Sequence, residues 1–290
     1  MRARLIAISV MFLATHAHAQ ANDQTSREIA AMHWTPASGF KLQASKSSIV
    51  SLPGFQLISD AEARRLREII DGRSDPAQEA EAFNVNANSE LLYEWYLSGY
   101  IKGDDWADVD ADNFLEQLKS KDAEANKIRA EKGIPSLTTT GWRQQPRLNQ
   151  DTHTVTWSIE GVSSNGDKIV NSIALKLGRY GFEKIIWIID PAHVGDKNDL
   201  LLAVNNHSFE NGARYVDYVA GTDHAAEYGI AGLVAGVIGV KLLKGAGILA
   251  LLLGLKKFVI LLFLPFIYAW RKIVGMFRKP DVRPNGETEL

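Results

Sequence analysis

The 290-residue chain contains no cysteine, which excludes disulfide bonding, a thiol nucleophile and thiolate metal sites at once. It also has little net charge, −2 overall, but this average conceals a segregation. Residues 241–290 hold nine Lys/Arg against three Asp/Glu, or +6, and Arg2 and Arg4 add +2 at the start, so the stretch between is left at −10. Such a body lacks the clustered basic residues that displace counterions from nucleic acid, whereas the basic tail suits an anionic membrane surface. The chain has no G-x-S-x-G elbow, no P-loop and no dinucleotide-binding glycine fingerprint. No single apolar run reaches the ~20 residues that a membrane-crossing helix needs.

Apolar residues make up 46% of the chain and charged residues 23%, enough to build a core and incompatible with global disorder. Residues 1–19 have the parts of a secretory signal peptide: Arg2 and Arg4, an apolar run from Leu5 to Leu13, and Ala17-His18-Ala19 as a small-x-small cleavage site. An exported domain is expected over residues 20–223. A glycine-rich juxtamembrane or membrane-associated helix follows over 224–244, where Gly232 and Gly236 form a G-x-x-x-G compatible with close helix contact and self-association. Residues 245–270 join two shorter apolar blocks into 26 residues, long enough to span a ~30 Å hydrocarbon layer at ~1.5 Å per residue.

Lys256 and Lys257 interrupt that segment near its middle, where each costs ~2.5–3.5 kcal/mol on insertion scales. A plain anchor with snorkelling lysines, a polar face shared in an oligomer, and a helical hairpin bent at 256–257 are the arrangements that accommodate them. Arg271, Lys272, Arg278 and Lys279 place the basic tail, 271–290, in the cytoplasm by the positive-inside rule.

The body reads as α+β, a mainly antiparallel sheet with helices on one side. Short strands are expected at Phe40–Leu42, Ser48–Leu52 and Phe55–Leu57, with Pro53-Gly54 as a turn between the last two. Ser59-Asp60 caps a helix to about Ile70, Asp71 to Asn88 reads as an exposed loop, and a strand follows over Leu91–Tyr100. A helix from about Asp110 to Lys132 stops at Gly133-Ile134-Pro135. Strands follow at Ser136–Arg143, Thr152–Glu160, Lys168–Lys176 and Phe182–Ile189, with Asn165-Gly166 turning one hairpin and Val155, Trp157 and Ile159 forming a buried face. A helix near Asp196–His207 and a strand near Phe209–Tyr215 complete the domain.

Candidate sites are sparse, and no catalytic, cofactor-binding or metal-ligating residue is assigned. Asp104 and Asp105 head the densest acidic cluster and are the candidates for an acidic site. Asp108-x-Asp110-x-Asp112 starts like a calcium loop, but Asn113 replaces the turn glycine and Lys119 the closing glutamate, so helix capping explains it better. His33, His153, His193, His207 and His224 lack metal spacing. Tyr93, Tyr96, Tyr100 and the seven tryptophans form either sheet core or a ligand cleft.

The order of motifs resembles a bacterial family, domain of unknown function 2167, described as membrane-anchored. The residues that carry the likeness are Leu52-Pro53-Gly54-Phe55, Gly99-Tyr100-Ile101 with Asp104-Asp105, Gly133-Ile134-Pro135, and Gly141-Trp142 with Pro146 and Trp157. They continue with Leu177 to Gly181, Gly212 to Tyr218, Tyr228 to Leu233, and Lys256-Lys257, so that residues 34–279 are covered. Leu148 stands where the family commonly has an aromatic, and His224 where it usually has lysine. The resemblance implies an inner-membrane protein with its main domain in the periplasm, and implies no activity.

The expected function is therefore a non-enzymatic interaction or scaffold component of the bacterial envelope. Its expected partners are membrane lipid, an unidentified envelope protein and further copies through the C-terminal helices. The alternatives are an envelope enzyme using Asp104/Asp105, or a transport or channel accessory using Lys256/Lys257.

Overall fold

The computed structural model describes residues 27–71, 75–84, 89–131, 135–189 and 198–237. The signal-peptide, transmembrane and tail assignments, with Lys256 and Lys257, lie outside the described residues. Among the described residues no helix is long and apolar enough to cross a membrane.

Nine strands form one sheet: β1 (Thr35–Leu42), β2 (Ser47–Ser59), β3 (Gln78–Asn84), β4 (Ser89–Tyr96), β5 (Leu137–Asn149), β6 (Thr154–Ser163), β7 (Lys168–Leu177), β8 (Phe182–Ile189) and β9 (His207–Phe209). The spatial order is β1-β2-β3-β4-β8-β7-β6-β5, with β9 also paired to β2, and every strand pair is antiparallel. Among the described residues the longer helices that accompany them are α1 (Asp60–Asp71), α2 (Ala111–Glu131), α3 (Asp199–Asn206) and α4 (Ile230–Val237), besides a helical turn at 27–30.

Pro53-Gly54 does not turn the chain between two strands; β2 runs through it. Pro36 pairs with Gln56 while Ser38 pairs with Ser51, so residues 52–55 bulge out of the ladder opposite Ala37. Gly54 takes φ +83°, which a side chain would resist, and Pro53 has no N–H to lose. Beyond the bulge β2 pairs with β3; before it, Ser47–Ile49 pair with β9.

The expected exposed loop at 71–88 is also corrected, because it contains β3. Ala80 and Ala82 are fully buried, as is Glu81, which ion-pairs with Arg67 of α1. Alternating Glu and Ala carry no apolar signature, and the strand is legible only once the arginine on α1 is in place.

Helices cover both faces of the sheet rather than one. On the first face α3 packs Leu200, Ala203 and Val204 against Tyr93, Ile185 and Trp187, together with Ile49, Leu52, Phe55 and Leu57 of β2. On the second, α1 sets Ala63 and Leu66 on Ile58. Further along that face, α2 and α4 contribute Phe114, Ile230, Leu233 and Val234 to a cluster with Val155, Trp157, Leu175 and Phe182. The two-sided burial of β4 and β8 follows from their near-continuous apolar runs, LLYEWY and FEKIIWII. The hairpin at Asn165-Gly166 forms as expected, with Gly166 at φ +88° and Trp157 fully buried. Asp110 caps α2, its Oδ1 accepting the N–H groups of Asp112 (3.1 Å) and Asn113 (3.0 Å).

Candidate functional site

Segments far apart in sequence meet at one end of the sheet. Gly99 N–H donates to Tyr180 O at 2.8 Å and Arg179 N–H to Ala213 O at 2.9 Å, joining three of the stretches that carried the family resemblance. A fourth joins where Ile230 N–H reaches Lys102 O at 3.0 Å. Gly181 is needed here because a Cβ would fall 2.0 Å from Tyr96 O. The junction is locked by the Arg179 guanidinium, whose Nε and Nη2 donate to Asp223 at 2.7 and 2.8 Å, while Asp223 also accepts Val219 N–H at 2.7 Å. Asp217 fixes the next loop, accepting from Gly212 N–H (2.8 Å) and from the Arg214 guanidinium (2.7 Å), and this arginine holds its carboxyl well below the usual range.

Within this junction the rings form a ladder. Tyr100 stacks on Tyr218 (centroids 3.8 Å apart) and on Tyr215 (4.5 Å), and His153 lies against Tyr215 at 4.2 Å. The Tyr215 hydroxyl donates to Ile101 O at 2.8 Å. Burial, with Tyr100 and the Asp104 charge adding, raises its pKa, and burial lowers that of His153. Beside the ladder opens a recess of about 370 Å³ lined by Gly103, Leu148, His153, Leu177, Tyr215 and Ile230, with Gln150 at its rim. Leu148, one of the residues lining it, is the position where the resemblance expects an aromatic.

The two candidate acids have separate surroundings. Asp105 Oδ1 accepts Ala231 N–H at 3.2 Å at the start of α4, and a Cβ on Gly229 would run into this carboxylate. Asp105 is thus in contact with the helix terminus, where its charge matches the dipole. Asp104 is exposed and near Tyr215. Gly232 and Gly236 both lie on α4, whose Ile230, Leu233 and Val234 are buried in the domain core. Among the described residues no three His, Asp or Glu side chains are grouped as metal ligands.

A second polar cluster, unread in the sequence, is sealed inside the first face. Ser47 Oγ lies 2.8 Å from His207 Nε2 and 2.8 Å from Ser45 Oγ, and Glu183 Oε2 is 3.7 Å from the same His207 nitrogen. A hydrolytic relay needs the serine on one imidazole nitrogen and the acid on the other. Here both approach Nε2, Nδ1 has no partner, and both His207 and Glu183 side chains are 0% exposed. The legible signal was a charged residue inside each of two apolar strands, Lys176 in β7 and Glu183 in β8, which pair directly across the sheet.

The fold and its junction define an α+β domain built on one antiparallel sheet, with an aromatic recess and no exposed catalytic relay among the described residues. The chain belongs to the family described as Protein of unknown function (DUF2167), whose model matches residues 36–267. No curated protein matches it. Among solved structures, it is similar to the solution structure of cyanobacterial PsbP (CyanoP) from Synechocystis sp. PCC 6803, at 9% identity and a TM-score of 0.38, over 59% of this chain and 91% of that one.

Proposed function

We propose that the chain is a non-enzymatic, membrane-anchored, extracytoplasmic domain of the bacterial envelope whose recess end binds a partner protein. The observation that carries this reading is convergence: Gly99–Ile101, Leu177–Gly181, Gly212–Tyr218 and the start of α4 meet around one open, aromatic-lined recess. Leu97, Val216 and Val219 stand exposed on the loops of the same junction, Leu97 at 79%. Tyrosine and exposed aliphatic groups on a rigid frame are the composition of protein-binding surfaces.

The leader and the 245–270 pattern support export and anchoring, with a periplasmic domain and a cytoplasmic C-terminus. Self-association through Gly232, Gly236 and the following apolar segment, with Lys256 and Lys257 on a shared polar face, belongs to the same proposal.

The test is site-specific photo-crosslinking in cells, with the crosslinker at exposed Gln150 and a control at exposed Glu124 on α2. A discrete adduct is expected at Gln150, absent at Glu124 and lost when the exposed Val216 is changed to Asp. Equal adducts at both positions, or none at Gln150, would refute the recess as the binding surface.

A further inference from the structure

A buried polar cluster lies between the central strands and the segments that close over them. Five of its side-chain atoms have no hydrogen-bond partner: Glu79 Oε2, both carboxyl oxygens of Glu183, the Tyr93 hydroxyl and His207 Nδ1. A buried polar atom left without a partner is destabilising, so five in one place call for an occupant. We propose that the cluster is an internal proton-binding site, in which Glu79 and Glu183 share one proton at neutral pH in a carboxyl–carboxylate hydrogen bond while ordered water satisfies the groups around them.

The contacts assign the two roles. Glu79 sits at a bulge in β3, between Gln78, paired with Glu94, and Ala80, paired with Tyr93. The bulge turns its carboxyl onto the face of Tyr93 and Glu183. Its Oε1 accepts the N–H groups of Ala44 (2.6 Å) and Ser45 (3.1 Å), so a shared proton does not sit on that oxygen. Against Glu183 stands the Ser45 hydroxyl, a single neutral donor that is shared with Ser47. Glu183 is therefore the neutral acid, its O–H directed at Glu79 Oε2 and its carbonyl oxygen left for the Tyr93 hydroxyl or a water.

Every element around Glu183 contributes a polar or titratable group: Glu79 from β3, Tyr93 from β4, Lys176 from β7, His207 from β9, and Ser45 and Ser47 from the entry to β2. Lys176 Nζ is turned away onto the carbonyls of Val204, at 2.8 Å, and His207. Among the described residues it makes no ion pair with Glu183. Burial, then the Glu79 charge, push Glu183 well above the ordinary carboxylate range, which agrees with a held proton.

Loss of the proton would leave two carboxylates facing each other away from bulk solvent and would loosen the parts that close over them, β9 and residues 44–47. The chain from β9 runs directly into the Gly212–Tyr218 stretch of the recess, although the proton site stands on the cluster's geometry and not on the binding role given to the recess.

Infrared spectroscopy of the full chain in deuterated buffer at pH 7 tests the proposal. A protonated-carboxyl band is expected that disappears in Glu183→Gln and shifts in Glu79→Gln. Amide exchange at 207–209, corrected for intrinsic base catalysis, should accelerate at alkaline pH in the native chain and not in Glu183→Gln. Should Glu183→Gln fail to fold, the shift in Glu79→Gln decides alone. A carboxyl band missing at pH 7, or one unmoved by either substitution, overturns the shared proton.

Discussion

Folding should move a proton from a histidine to a glutamate, and the pH dependence of stability should reveal it. Burial takes the pKa of His207 from 6.5 down to about 3 in the folded chain, so below pH ~6.5 the unfolded chain binds a proton that the fold refuses. Stability from this group is lost as pH falls from ~6.5 toward 3, at ~1.36 kcal/mol per unit. Glu183 has the opposite sign. Its folded pKa is raised above the ordinary 4.5, so the fold holds a proton that the unfolded chain releases, and stability present below ~4.5 declines as pH rises.

Between pH ~4.5 and ~6.5 the two slopes cancel. Above ~6.5 the Glu183 slope is no longer opposed by that of His207, and stability declines as pH rises. Lys176, brought by burial to about 8, adds a slope of opposite sign beyond that point, so the readout stops there. Urea unfolding of the full chain, followed by tryptophan fluorescence from pH 4 to 8, gives the profiles for the native chain and Glu183→Gln. Their difference cancels other groups, Glu81 included, and should grow in favour of the variant as pH rises above ~4.5, with a limiting slope of ~1.36 kcal/mol per unit. A difference that stays flat across this range would refute the assignment of the buried proton to Glu183.

Two further outcomes follow from packing and topology. Trp157 is fully buried with its ring edge-on to Phe114 at 5.4 Å, so Trp157→Ala should cost ~3–5 kcal/mol in urea unfolding, while Thr156→Ala, on the half-buried opposite face, should cost under ~1 kcal/mol. A reporter active only outside the cytoplasm should be active when fused after Asp223 and inactive after Pro280; activity at both positions would favour the hairpin over a single crossing.

How far the sequence carried depended on whether the cues were local. β8 was legible to the residue because its apolar run is bounded by Gly181 and a following Asp-Pro, and α1 because Ser59-Asp60 marks its start. β3 was not legible, since Glu79 and Glu81 read as solvent-facing until Arg67 and the N–H groups of Ala44 and Ser45 are brought to them. The recess was visible only as separate motifs with no cue that Tyr100 would stack on Tyr215 and Tyr218. The buried cluster was less visible still: Ser47 and His207 are 160 positions apart, and a serine and a histidine at that distance carry no pattern.

That separation also sets a timetable. The opening half of β2 finds one of its two neighbours only when residues 207–209 arrive, so the sheet cannot be completed until that segment has emerged. Loop closure over such distances makes folding slow, and a nascent chain stays open until its C-terminal third is available. If the leader acts as an export signal, this delay would keep the body threadable through a narrow pore, and the late pairing of β9 would be the step that ends its competence for passage.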